Sequence, residues 1–157
     1  MSSIAQVAAP YRAILCDIWG VVHDGDRILP GVEARLLRWK GEGRTIILVT
    51  NAPRSAEAVL AYLDGLGLPR AAYDAITSSS EAGIYDHARM LAGVPPIEAM
   101  LAIGDGLPTD MLGAARYGID AIYVSHGIHA GEPVPDDFAS RHGLGGWRPI
   151  LTVEGLA

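Results

Sequence analysis

Ala13-Ile14-Leu15-Cys16-Asp17 is a run of four buried-type residues ending on a carboxylate. The same design returns twice, as Ile46-Ile47-Leu48-Val49 meeting Thr50 and as Leu101-Ala102-Ile103-Gly104 meeting Asp105. Short unbroken apolar runs suit strands covered on both faces, and helix-length amphipathic stretches separate them. The alternation predicts an α/β chain, a Rossmann-like three-layer sandwich with a central parallel sheet and helices on both sides. In such a sheet the strand ends share one edge, the edge at which α/β folds bind ligands. A lone aspartate after a strand is more often a turn or cap residue. Three polar ends in the same place point instead to a site built from Asp17, Thr50 and Asp105. Asp110 joins them, because Gly104-Asp105-Gly106 reads as a tight turn and Pro108 opens a helix whose first turn carries Thr109 and Asp110.

Working outward, strands are expected over 12–17, 45–49, 74–77, 99–103 and 120–124, and helices over 30–40, 55–66, 83–92 and 108–117. Val32, Leu36, Leu37 and Trp39 fall mainly on one face of the first helix, and Gly41 and Gly43 stop it. Residues 19–28 hold too many turn formers to extend the first strand and read as a loop or small hairpin. Residues 78–83 are small, polar and linker-like, and the tail after Gly131 is weakly patterned.

The 157 residues, 50% hydrophobic, suit a single domain over 1–157 with a sizeable core. Twelve basic against 18 acidic residues leave a net charge of −6, which argues against nucleic acid or an anionic membrane as partner. A small ligand is expected, and an acidic protein that binds phosphate needs local positive charge, which a divalent cation supplies. The single cysteine, Cys16, sits in a buried strand and reads as core packing. No stretch reaches the roughly 18 apolar residues of a membrane span, and the N-terminus lacks a leader pattern, so the expected location is cytoplasmic.

The segments Asp17-Ile18-Trp19-Gly20-Val21-Val22-His23-Asp24-Gly25, Leu48-Val49-Thr50-Asn51 and Gly104-Asp105-Gly106-Leu107-Pro108-Thr109-Asp110 resemble, in order, the first, second and fourth motifs of the haloacid dehalogenase (HAD) superfamily. The Val-Thr-Asn form and the spacing from Pro30-Gly31 are similar to subclass IIA, the group of NagD and the p-nitrophenyl phosphatases. The resemblance implies a HAD-like phosphohydrolase in which Asp17 attacks phosphorus to form an aspartyl-phosphate. It implies Mg²⁺ held by Asp17, by the backbone carbonyl of Trp19, by Asp105 and by waters oriented through Asp110. Thr50 would act on a phosphoryl oxygen, with Asn51 binding substrate beside it.

Two departures from the pattern stand out. Phosphatases of this superfamily carry a second aspartate two residues after the nucleophile as general acid and base. Here that residue is Trp19, whose indole N–H does not exchange a proton near neutral pH. His23 and Asp24 are the candidates to replace it. The third motif supplies a lysine, yet the only lysine is Lys40, at the end of a helix that crosses back to the opposite edge of the sheet. Arg54, next to Thr50-Asn51, is the best stand-in and a candidate substrate contact. Subclass IIA also inserts a cap domain where this chain has only the 78–83 linker. The expectation is therefore a capless Mg²⁺-dependent core, acting on a small phosphorylated substrate with weak or residual activity, with homo-oligomers forming through the surface that the cap leaves. The alternative is an impaired core fragment or scaffold that binds Mg²⁺ and phosphate and self-associates without turnover. Dehalogenase chemistry uses the same nucleophile without the second aspartate, but Thr50-Asn51 and the Asp105/Asp110 pair resemble the metal-dependent arrangement.

Overall fold

Side chains alternate across a strand, so a strand buried on both faces divides its residues between two cores. The computed structural model, which describes residues 2–78, 83–126 and 133–157, shows that division. Strands β1 (Ala13–Asp17), β2 (Thr45–Thr50), β3 (Ala75–Ser78), β4 (Met100–Gly104), β5 (Asp120–Val124) and β6 (Leu151–Val153) form one sheet in the order β3-β2-β1-β4-β5-β6. All five pairings are parallel. Ile14, Cys16, Ile46, Leu48, Leu101 and Ile103 face one core, together with α1 (Ile4–Ala8), α2 (Val32–Gly41) and α3 (Ala56–Leu66). Ala13, Leu15, Ile47, Val49, Met100 and Ala102 face the other, with α4 (Ile84–Leu91), α5 (Leu112–Tyr117) and α6 (Phe138–Arg141). This is the expected α/β Rossmann-like sandwich.

Local chemistry sets the helix ends. The Ser55 side chain accepts the Ala58 N–H at 3.2 Å to cap α3, and Gly67, at φ +89°, closes it in the left-handed conformation that glycine adopts without strain. On α2, Val32, Leu36 and Trp39 are buried. Register places Asp17 beside Val49 and Gly104 beside Tyr123, so the C-terminal ends of β1, β2 and β4 lie along one edge.

Sequence expectation and structure differ in three places. The expected helix over 108–117 begins as one widened turn, Leu107–Met111, in which the Met111 N–H donates to the Gly106 carbonyl at 3.0 Å before α5 proceeds. The N-terminal helix α1 lies outside the expected elements, although Ser3 and Gln6 form its reciprocal cap. The weakly patterned tail supplies α6 and the edge strand β6, and the Arg35 Nε donates to the Leu156 carbonyl at 2.9 Å, tying the chain end to α2. Of the linker over 78–83, residues 79–82 lie outside the described residues. Among the described residues no helix is long and apolar enough to cross a membrane.

Candidate active site

At the C-terminal edge of the central strands, the carboxyl groups of Asp17, Asp105 and Asp110 each present one oxygen, and these lie within 4.8 Å of one another. All three side chains are buried, as is Thr50. They floor a cleft of about 620 Å³ whose walls include Trp19, Arg54, Val59 and Tyr62. The convergence expected from the strand ends is therefore present, and Asp110 belongs to it.

Asp110 reaches the cluster through the widened turn. Its carboxylate accepts the Gly106 N–H at 3.0 Å, and the Tyr85 hydroxyl donates to its backbone carbonyl at 3.1 Å. The Asn51 side-chain amide stands 3.5 Å from the other carboxylate oxygen, at the outer limit of hydrogen bonding. Widened turns of this type recur at functional sites, where they re-aim a side chain. Two glycines give Asp110 room, since a Cβ on Gly104 would sit 2.3 Å from Asp110, and one on Gly106 would sit 2.1 Å from the Thr109 hydroxyl.

Three carboxyl groups in so small a volume cannot all ionise cheaply without a cation. Burial, reinforced by Asp110 and Asp105, pushes the Asp17 carboxyl well above the usual carboxylate range. Burial pushes Asp110 up to about 6, against the hydrogen bond from the Gly106 N–H that favours its charged form. A hard divalent ion matches this donor set in both charge and oxygen chemistry, and it would favour the ionised forms of Asp17 and Asp110.

The loop after β1 folds back on itself. The Gly20 N–H donates to the His23 carbonyl at 2.8 Å, and His23 bridges to Ile28. The buried His23 ring stands edge-on between Trp19, at 5.0 Å between ring centroids, and Tyr62, at 5.3 Å. Its Nδ1 accepts the Gly25 N–H at 3.0 Å, which leaves the ring proton on Nε2, and burial lowers its pKa against the opposing pull of Asp24. His23 thus lines the cleft as a neutral, wedged ring. Asp24 does not join it, because it accepts the Asp26 and Arg27 N–H groups and pairs with Arg27 outside the cleft. The Tyr62 hydroxyl donates to the Gly25 carbonyl and fastens this loop to α3.

The remaining candidates separate cleanly. Thr50 keeps its hydroxyl proton free to donate, because its oxygen accepts the Ala52 N–H at 3.2 Å. Arg54 lines the cleft, is exposed, and forms no ion pair with any described residue. Lys40 pairs with Asp74 just before β3, at the opposite edge of the sheet. Cys16 is buried in the core, and burial raises its thiol well above its ordinary value. Tyr62 and Tyr85 are the residues that sequence reasoning missed. Each reaches the site from a helix, outside the three motif segments that carry the resemblance.

Residues 14–115 match the family model for haloacid dehalogenase-like hydrolases. Among curated proteins, none matches the chain. Solved structures with the same fold include a haloacid dehalogenase-like hydrolase from Brucella suis 1330, at 22% identity and a TM-score of 0.81, the match covering 100% of both chains. A possible sugar phosphatase of the HAD superfamily from Cytophaga hutchinsonii matches at 17% identity and a TM-score of 0.72, covering 99% of this chain and 98% of that one. NagD from Escherichia coli K-12 matches at 15% identity and a TM-score of 0.67, covering 94% and 97%.

Proposed function

The chain belongs to the haloacid dehalogenase-like hydrolases, and on that premise we propose that it is a subclass IIA-like, Mg²⁺-dependent phosphomonoesterase core with Asp17 as nucleophile. The observation that carries this reading is the buried Asp17, Asp105 and Asp110 cluster on the floor of an open cleft. Asp17, Asp105, Asp110 and the Trp19 backbone carbonyl would hold the ion. Bound there, Mg²⁺ supplies the positive charge that offsets repulsion between the Asp17 carboxylate and a phosphate dianion.

In the first step an Asp17 oxygen bonds to phosphorus as the bond from phosphorus to the leaving oxygen breaks, and the leaving group departs with that electron pair. Thr50 would donate a hydrogen bond from its hydroxyl to a phosphoryl oxygen, and Asn51 and Arg54 would flank the same phosphate. In the second step water attacks the phosphorus of the aspartyl-phosphate, releasing inorganic phosphate and returning the Asp17 carboxylate. Position 19 offers no proton in either step, and among the described residues no lysine neutralises the nucleophile, which supports slow turnover on esters with poor leaving groups. In this chain residues 79–83 alone join β3 to α4, which supports a core without a cap and a cleft open to a second copy of the chain.

Hydrolysis of p-nitrophenyl phosphate with and without Mg²⁺, in the wild type and in Asp17→Asn, tests the reading. Turnover should require the metal and vanish in the variant. Wild-type turnover no higher than that of Asp17→Asn, in a chain that Mg²⁺ still stabilises, would replace the enzyme with a non-catalytic Mg²⁺-binding scaffold.

A further inference from the structure

Trp19 is the largest apolar surface at the mouth of the cleft, and it is built to stay there. Trp19 is 46% exposed, whereas His23, packed directly against it, is 2% exposed. Two contacts hold the indole, and one of them is backed by a further ring. The His23 ring meets it edge-on at 81°, Tyr62 backs His23, and a Cβ on Gly25 would sit only 2.9 Å from the indole ring. Gly25 stands at φ +102°, where a side chain would be strained, so the backbone itself packs closely against the ring. Much of the indole surface remains open beside Ala52, Arg54 and Val59. A rigid, solvent-exposed indole held next to a phosphate site is a stacking platform whose ordering cost has been met by the fold.

The same position lacks a proton donor. A leaving group whose oxygen sits on an aromatic ring departs as a stabilised phenolate and needs no protonation in the transition state, whereas an alkoxide does. The platform and the missing acid thus favour the same class of ester. Building on the phosphomonoesterase reading, we propose that the cleft selects phosphomonoesters of aromatic or heteroaromatic alcohols, with the ring stacked on the exposed surface of Trp19. The phenolate takes the electron pair of the broken bond and later gains its proton from water, so the step balances without a side-chain acid.

The test uses binding, which does not depend on turnover. At a pH where both are dianions, phenylphosphonate and cyclohexylphosphonate carry the same charge and nearly the same bulk, and only the former has a planar ring. Calorimetric titration of each into the full chain with Mg²⁺ should show phenylphosphonate bound about two- to tenfold more tightly, the range expected for one aromatic pair. Trp19→Ala should collapse that ratio towards one, and Trp19→Phe should retain most of it. Equal affinities in the wild type, or a ratio that survives in Trp19→Ala, would overturn the platform. A chain that hydrolyses p-nitrophenyl phosphate through Asp17 yet shows no preference fails here alone. A chain that neither binds a phosphonate nor turns over an ester fails at the phosphatase reading beneath it.

Discussion

Gly104, the last residue of β4, lies so close to Asp110 that a Cβ placed on it would sit 2.3 Å from both the Cβ and the Cγ of Asp110. That approach lets the widened turn aim a helix-borne carboxylate at the end of a neighbouring strand. Gly104→Ala should therefore act on the metal site through Asp110. The added methyl meets the root of a short, buried side chain that has little freedom to yield. A loss of about 1–3 kcal/mol in stability is expected, as for other overpacked positions. Chemical denaturation measures that loss. The Mg²⁺-induced gain in Tm should shrink in the same variant, and an undiminished gain would show that Asp110 is dispensable to the ion.

Asp105→Asn separates charge from shape. In the wild type, Mg²⁺ at a hundredfold excess over its Kd should add about 2.7 kcal/mol of stability. At about 2–4 °C per kcal/mol for a chain of this size, the gain is roughly 5–10 °C in Tm. The variant should lose most of that gain while melting higher than the wild type without metal, because one of three crowded carboxylates has become neutral. Trp19→Ala should keep the response to Mg²⁺, since position 19 would contribute through its backbone. A folded Trp19→Ala chain that is blind to Mg²⁺ would place the indole itself in the metal site.

Without metal, the carboxylate cluster should make stability depend on pH in a defined direction. Asp17 and Asp110 hold their protons more tightly when folded than when unfolded, Asp110 up to about 6 against an ordinary 3.8. Between these values the native chain carries more protons than the unfolded one, so stability falls as pH rises from about 4 through 6. The contribution is fully present below the unfolded value and lost above the folded one. Mg²⁺ binds the ionised carboxylates, so the stabilisation it adds should grow over the same window. Urea unfolding at several pH values, with and without Mg²⁺, reads both slopes. Asp110→Asn serves as the control, and an identical pH slope in that variant would remove Asp110 from the account.

The elements that the sequence announces are those whose physics is local. The runs ending at Asp17, Thr50 and Asp105 are apolar throughout because both faces of each strand are covered, and they lie side by side, with β1 between β2 and β4. Edge strand β6 escapes notice because only one neighbour covers it, so its Leu151, Thr152 and Val153 alternate between half-buried and exposed. At the site, Asp17, Thr50, Asp105 and Asp110 could be read from their own strand ends and first turn. The wedge of Trp19, His23 and Tyr62 could not, because Tyr62 lies 37 residues from the Gly25 carbonyl that its hydroxyl meets. Helix packing creates that contact, and neither residue carries a mark of it. Lys40 shows the converse case, since handedness alone places it at the far edge, where it meets Asp74.

Trp19→Asp tests chemistry and specificity in one substitution. It installs a carboxyl where the family resemblance places a general acid, within reach of the cluster formed by Asp17, Asp105 and Asp110. Neighbouring negative charge raises the pKa of such a group, so the new carboxyl should keep its proton nearer to neutral pH than an isolated aspartate does. It also deletes the indole. Alkyl phosphates, whose leaving oxygens need a proton, should gain about 10²-fold or more in kcat/KM. Aryl phosphates need little protonation and lose their stacking partner, so they should gain far less or decline. The ratio of alkyl to aryl kcat/KM is the decisive measurement, with Asp17→Asn setting the background for each substrate. Equal gains on both classes would mean that the indole merely crowds the site. No change on either class would move the limiting defect away from position 19, to the missing lysine. Inversion of the substrate preference is the result that only a lost acid and a stacking surface at the same residue would produce.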